Sequence, residues 1–324
     1  MLFRVILLAT GVALATAATA EQASSWDVCS GRSVPTFEER ISACTAIIES
    51  EGVTPANRAE ALGFRGVAYE NHGDSDAAVR DYEASLQLDA TSSSGHRIRG
   101  NKYTIEKNYD AAFAEYDEAI RLDPTSAFAF NNRGRLYGKE MEYDRAVSDY
   151  SEAIRLDPGW VLAYYGRGMT YSAKKEYDHA IADFDETIRL NASFALGYAS
   201  RCGARTAAGQ DLHAALSDCD ESLRLQPRQT LALSRRGFIH LKLANVAEAI
   251  ADFDAALSID AKDAWSLYGR GLARSQQGDL AGSQSDIAAA EKVLPGIGMT
   301  VTRYYGSATA PDLLSTLQIE MLRH

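Results

Sequence analysis

Cysteine and proline are both scarce. Four cysteines and seven prolines in 324 residues exclude a disulfide-rich miniature scaffold and a proline-rich linker protein. No Cys-x-x-Cys occurs, and no histidine stands at ligand spacing from a cysteine pair, so a zinc site is not expected. No Lys/Arg cluster interrupts a chain with 33 basic and 44 acidic side chains and a formal charge of −11. A nucleic-acid binder working by phosphate neutralisation is therefore not expected. The signatures H-E-x-x-H, G-x-x-x-x-G-K, G-x-S-x-G and strand-borne G-x-G-x-x-G are missing as well, and His72, His179 and His213 fall near inter-helix links without converging. No catalytic residue, cofactor or metal is expected. After the N-terminus no apolar run is long enough to span a bilayer.

What is present begins with that N-terminus. Arg4 leads into an apolar run from Val5 to Ala18, which closes on Ala18-Thr19-Ala20 before Glu21. This predicts a secretory signal peptide over residues 1–20 and a periplasmic or secreted protein; an uncleaved anchor is the alternative. The remainder draws on a composition of 46% hydrophobic and 24% charged residues, enough apolar material for a substantial core.

The chain then repeats itself. Arg-Gly or a near equivalent returns at Arg65-Gly66, Arg99-Gly100, Arg133-Gly134, Arg167-Gly168, Cys202-Gly203, Arg236-Gly237 and Arg270-Gly271, every 34 residues with a single step of 35. We assign the extra residue to the turn Asn191 to Ala195. Seven units start at Ala59, Ser93, Ala127, Val161, Leu196, Thr230 and Ala264, each holding two amphipathic segments of helical length. Position 8 of each unit is glycine, positions 20 and 27 are small, position 24 is mostly aromatic, and position 30 is aliphatic. One helix pair cannot bury such a face alone, whereas stacked pairs can.

With Tyr137, Ala146, Tyr150, Ala153 and Pro158 in their expected places, these units resemble tetratricopeptide repeats from Ala59 to about Pro295. The resemblance implies an all-α fold: a right-handed α-solenoid of about seven helix pairs, preceded by an N-terminal capping segment (21–58) and followed by a C-terminal cap and tail (296–324). It also implies a concave groove, lined by positions 2, 5, 6, 9, 12 and 13 of the first helices, that binds a peptide or a partner protein. Those positions supply Arg97, Asn101, Asn131, Asn132 and Arg135, then Tyr165, Phe238, Trp265 and Tyr268. Arg97, Asn101 and Asn132 resemble three members of the clamp with which some relatives hold a ligand's carboxylates. Leu162 and Gly166 stand at the other two positions, so a full clamp is not expected.

Arginine at position 7 and an acid at position 23 predict a ladder of ion pairs between the helices of each pair. In the fifth unit Cys202 takes the arginine's place and Cys219 the aromatic's. Four cysteines allow three pairings, and proximity favours Cys29 with Cys44 and Cys202 with Cys219. Phe37, Ile41, Cys44 and Ile48 predict a capping helix before the repeats, with Thr54-Pro55 starting the first repeat helix. Ile297, Val301, Tyr304 and Tyr305 predict another at the far end. The functional expectation is a non-enzymatic interaction scaffold or adaptor of the cell envelope. The competing one is an envelope enzyme, or an obligate subunit of one, that uses the repeats as support.

Overall fold

The computed structural model describes residues 25–32 and 35–305. The expected leader, residues 1–20, and the tail from 306 onward lie outside the described residues. The described secondary structure is helical. Helix α1 (Phe37–Glu49) precedes seven pairs: α2 (Pro55–His72) with α3 (Ser75–Leu88), α4 (Ser93–Ile105) with α5 (Tyr109–Leu122), α6 (Ala127–Lys139) with α7 (Tyr143–Leu156), and α8 (Val161–Lys174) with α9 (Tyr177–Leu190). There follow α10 (Ala195–Ala207) with α11 (Leu212–Leu225), α12 (Thr230–Lys242) with α13 (Val246–Ile259), α14 (Ala264–Gln276) with α15 (Leu280–Val293), and finally α16 (Ile297–Tyr305). The chain divides into two compact units, residues 1–170 and 171–324.

Local chemistry sets the helix ends. Thr36 closes a capping box on α1: its hydroxyl accepts from the Glu39 amide while the Glu39 carboxylate accepts from the Thr36 amide. Thr54 caps α2, with Pro55 in the first turn where its missing N–H costs nothing. After α5, α7, α9 and α13 the side chain of Asp123, Asp157, Asn191 or Asp260 accepts the amide two residues on, turning the backbone toward the next pair. Inside each pair the turn needs one left-handed residue. Gly73, Gly209 and Gly278 provide it in three pairs, while Lys107, Met141, Lys175 and Ala244 are forced into it in the other four.

Packing within a pair depends on the small residues. Position 20 (Ala78, Ala112, Ala146, Ala180, Ala215, Ala249, Ser283) and position 27 (Ser85, Ala119, Ala153, Thr187, Ser222, Ala256, Ala290) are fully buried in all seven pairs. A Cβ on Gly66 would collide with the Tyr82 ring, and one on Gly100, Gly237 or Gly271 would come within 2.5, 2.7 and 2.8 Å of Tyr116, Phe253 and Ile287. Position 30 contributes less than expected. It lies in the last turn of the second helix, where Leu88 and Leu122 are 42% exposed.

The fifth pair corrects the sequence register. Its first helix begins at Ala195, not Leu196, and the extra residue lies in the turn 208–211 between its two helices, because Leu212 follows Ala195 by 17 positions where Tyr177 follows Val161 by 16. Arg201, not Cys202, is thus the repeat arginine. Its Nε and Nη2 donate to Asp218. Cys202 occupies the glycine place and Cys219 the ring place, and the two are bonded, with Cα atoms 5.6 Å apart. A disulfide fills the space that a ring against a glycine fills elsewhere. Cys29 and Cys44 are bonded too, as expected, with Cα atoms 4.8 Å apart.

The ion pairs join three helices rather than two. Arg133 donates through Nε and Nη2 to Asp149 of its own pair, and through Nη1 to Asp117 of the preceding pair at 2.6 Å. Arg201, Arg236 and Arg270 repeat this with Asp218 and Asp185, Asp252 and Asp220, and Asp286 and Asp254. Arg65 and Arg99 hold Asp81 and Glu115. The forks at Arg133, Arg201, Arg236 and Arg270 therefore fix both the angle within a pair and the spacing to the previous one.

Two stability measurements check this description. Met141 is 72% exposed at φ 62°, so Met141→Gly removes the left-handed penalty at little cost in packing. Urea denaturation should show a gain of about 0.5–1 kcal/mol. Replacing Cys202 and Cys219 together by serine should lower stability by about 3 kcal/mol, the chain-entropy value for so short a loop.

Candidate partner-binding face

The face expected to form the groove carries polar groups in the first compact unit, residues 1–170, and they are tied to one another. Arg97, on α4, is 2% exposed and pairs with Glu60 of α2 at 2.7 Å. Its guanidinium lies over both the Phe64 and Phe128 rings, at 5.3 and 5.6 Å. Asn101 is fully buried, and its carbonyl accepts from the Tyr116 hydroxyl at 2.8 Å and from Asn132 at 2.9 Å. Burial pushes the Tyr116 hydroxyl up to about 12, so it remains a donor. Asn131 is partly exposed and reaches Asn132 at 3.4 Å.

Arg135 completes the row. Its Nη1 donates to Glu70 at 3.0 Å, and the other Glu70 oxygen accepts from Tyr82. Burial works against the Arg135 charge, but Glu70 together with Tyr116 and Tyr82 more than offsets it and holds the guanidinium above its ordinary range. Burial and then Glu70 push the Tyr82 hydroxyl well up. The Arg135 side chain stays 38% exposed, and Tyr165 on α8 is also partly exposed. Arg97, Asn132 and the Asn101 carbonyl, from the clamp-like trio, are spent on intramolecular partners, while the Asn101 side-chain nitrogen is buried without a hydrogen-bond partner among the described residues. Glu60 and Glu70, which do the pairing, stand at positions 2 and 12 of the first repeat and were legible by the same positional rule.

The chain's own N-terminal segment lies on this face. Trp26 meets the edge of Phe64, Arg32 pairs with Asp157 at 3.2 Å while lying over Phe128, and Phe37 stacks on His72 at 3.9 Å. Cys29, Cys44, Ile47, Ala61 and Phe64 form one buried cluster with Phe128 packed against it. The capping segment therefore does more than close the end of the first pair.

In the second compact unit, residues 171–324, the expected groove aromatics are core. Phe238 and Tyr268 are buried, and Trp265 is half-buried edge-on to Phe238 at 6.3 Å. The cause is α16, which packs against α10, α14 and α15. Its Ile297 and Val301 are fully buried in the cluster that holds Phe238, Leu241, Tyr268 and Leu272. Among the described residues no three His, Cys, Asp or Glu side chains could hold a metal ion, and no helix is long and apolar enough to cross a membrane.

A charge in that cover should break it. Val301→Asp places an unpaired carboxylate among Phe238, Tyr268 and Leu272, and is expected to cost about 3–5 kcal/mol in guanidinium denaturation, with new binding of a hydrophobic dye.

Comparison with known proteins agrees with the geometry. No curated relative matches the chain. Among solved structures, a chain of the APC/C hetero-tetramer Cut9–Hcn1 is 14% identical with a TM-score of 0.71, covering 90% of this chain and 55% of that one, so the present chain spans about half of that relative's length. A tetratricopeptide repeat protein from Parabacteroides merdae is 20% identical with a TM-score of 0.53, covering 78% of this chain and 99% of that one. Yeast Tom70 is 16% identical with a TM-score of 0.51, covering 88% and 64%. These likenesses concern the fold. Family models described as TPR repeat match residues 100–140, and others described as tetratricopeptide repeat match 127–159, 59–92, 161–194 and 232–263. Repeat period, helix pairing and these matches coincide, and the chain belongs to the tetratricopeptide-repeat family.

Proposed function

We propose that the chain is a non-catalytic scaffold of the cell envelope that binds a partner protein on the inner face of its first unit, at Asn131, Arg135 and Tyr165. The observation that carries this reading is the contrast along that face. Arg97, Asn132 and the Asn101 carbonyl are buried and paired, whereas Asn131, Arg135 and Tyr165 retain exposed surface. A partly exposed guanidinium fixed by Glu70, with the Asn131 amide one turn away on the same helix, offers donors in a set geometry, which lowers the ordering cost of binding. The relative in the Cut9–Hcn1 complex carries the same fold in a hetero-tetramer with a partner. An oxidising compartment is favoured by the pairing of Cys29 with Cys44 and Cys202 with Cys219, and by the leader expected before them.

The test is capture from the envelope fraction of the source cell by the immobilised oxidised protein, with mass-spectrometric identification. It is compared with the double variant Asn131→Glu, Tyr165→Ala. Both positions lie outside the arginine forks, so the fold should survive. At least a tenfold loss of one captured protein is expected; equal capture by the two proteins would remove this face as the binding surface.

A further inference from the structure

The capping helix carries a buried charge that no carboxylate among the described residues balances. Arg40, in the first turn of α1, is 9% exposed. Its Nε donates to the Cys29 carbonyl at 2.9 Å and its Nη2 to the Ser30 carbonyl at 3.2 Å. Gly31 lies against the guanidinium, where a Cβ would come within 3.1 Å of Cζ. Main-chain carbonyls satisfy two nitrogens but contribute no net charge, and Nη1 is left without a hydrogen-bond partner among the described residues.

The acids of this face are already committed. Glu60 holds Arg97, and Glu70 holds Arg135 and Tyr82. No described Asp or Glu comes within ion-pair distance of Arg40. Burial lowers its guanidinium to about 10; Tyr82 works the other way, and the like charges of Arg97 and Arg135 add to the lowering. It is still a cation at neutral pH. A buried cation without a counter-charge is costly, and an incoming anion recovers that cost.

Beside Arg40 there is a cavity of about 220 Å³. Phe37, Ala68 and Leu162 give it apolar walls, and Asn71 and His72 stand exposed at its rim. Stacking on His72 holds the Phe37 ring in place. One cation, one free donor and three apolar walls match a singly charged planar head on a short apolar body. A phosphate dianion would bring a second charge, and no second described lysine or arginine lines the cavity to meet it, in a chain already at −11.

We propose that this cavity binds a carboxylate carried on a small apolar group, with Arg40 as its charge partner. The head pairs with Nη1 of Arg40, and the apolar body lies between Phe37, Ala68 and Leu162. A free organic acid and the C-terminal residue of a peptide share this chemistry. The site does not depend on partner binding at Asn131 and Tyr165, and either can fail without the other.

Calorimetric titration of the full oxidised chain with benzoate and with its neutral counterpart benzamide tests the assignment. Benzoate should bind at least tenfold more tightly than benzamide, and Arg40→Gln should abolish the difference. Because Arg40 also ties down the Cys29 and Ser30 carbonyls, its replacement can unfold the cap. Asn71→Glu, at the exposed rim, keeps that tie and puts a competing carboxylate beside Arg40; it should cost benzoate at least tenfold without lowering the melting temperature. Peptides ending in phenylalanine, as the free acid and as the amide, then separate the sources. Binding of benzoate and of the free-acid peptide but not the amide assigns a chain terminus, and binding of benzoate but neither peptide assigns a small acid. Equal affinity for benzoate and benzamide, absence of benzoate binding, or an Asn71→Glu variant that binds benzoate like the parent would overturn the proposal.

Discussion

Everything in this molecule depends on how closely the two helices of a pair can approach. Where Gly66, Gly100, Gly237 and Gly271 face a ring or branched side chain of the second helix, there is no room for one more carbon atom. The glycine costs about 1 kcal/mol of helix propensity, and dense packing at positions 20, 24 and 27 offsets it. The arginine forks then carry this spacing from one pair to the next. In the fifth pair the same gap is closed by Cys202 and Cys219, so a covalent bond replaces van der Waals contact at an equivalent place. Such a substitution makes sense only where the bond can form, which ties the packing of that pair to its redox surroundings.

The inner face shows how a generic repeat surface acquires a particular character. A plain stack of pairs would offer a continuous strip of first-helix side chains. Here the segment around Trp26 and Arg32 covers part of the strip in the first unit, and α16 covers Phe238 and Tyr268 in the second. The terminal segments decide which repeat positions remain available. They also create the Arg40 cavity, which contains residues from both the cap and the repeats and belongs to neither alone.

Much of this was legible from the amino-acid order. The helix pairs, the Thr54-Pro55 start, both capping helices, the Arg–Asp pairing and both cysteine pairings follow from period, patterning and spacing. The one-residue slip at Leu196 arose because an Arg-x-Gly stretch can be aligned in two ways: Arg201 and Gly203 flank Cys202, and only the geometry shows that Cys202 stands at the glycine place. The groove residues were legible as positions but not as surfaces. Whether Asn101 or Phe238 meets solvent depends on Tyr116, Asn132, Ile297 and Val301, contacts made far along the chain, and periodicity within one repeat carries no information about them. Arg40 went unnoticed because nothing local distinguishes it from a solvated helix arginine.

The two covers bear on the order in which the molecule comes apart. A linear array in which each repeat touches only its neighbours frays from its ends, one pair after another. Helix α16 touches α10 as well as α14 and α15, and Arg32 reaches Asp157 across three repeats. These contacts close long loops, so the terminal pairs cannot detach before bonds deep within the same unit are broken. Such closure slows assembly, since distant segments must meet before the contacts form. It also raises the cooperativity of opening: each unit behaves less like a zipper and more like a single folding block, and its ends share the protection of its middle.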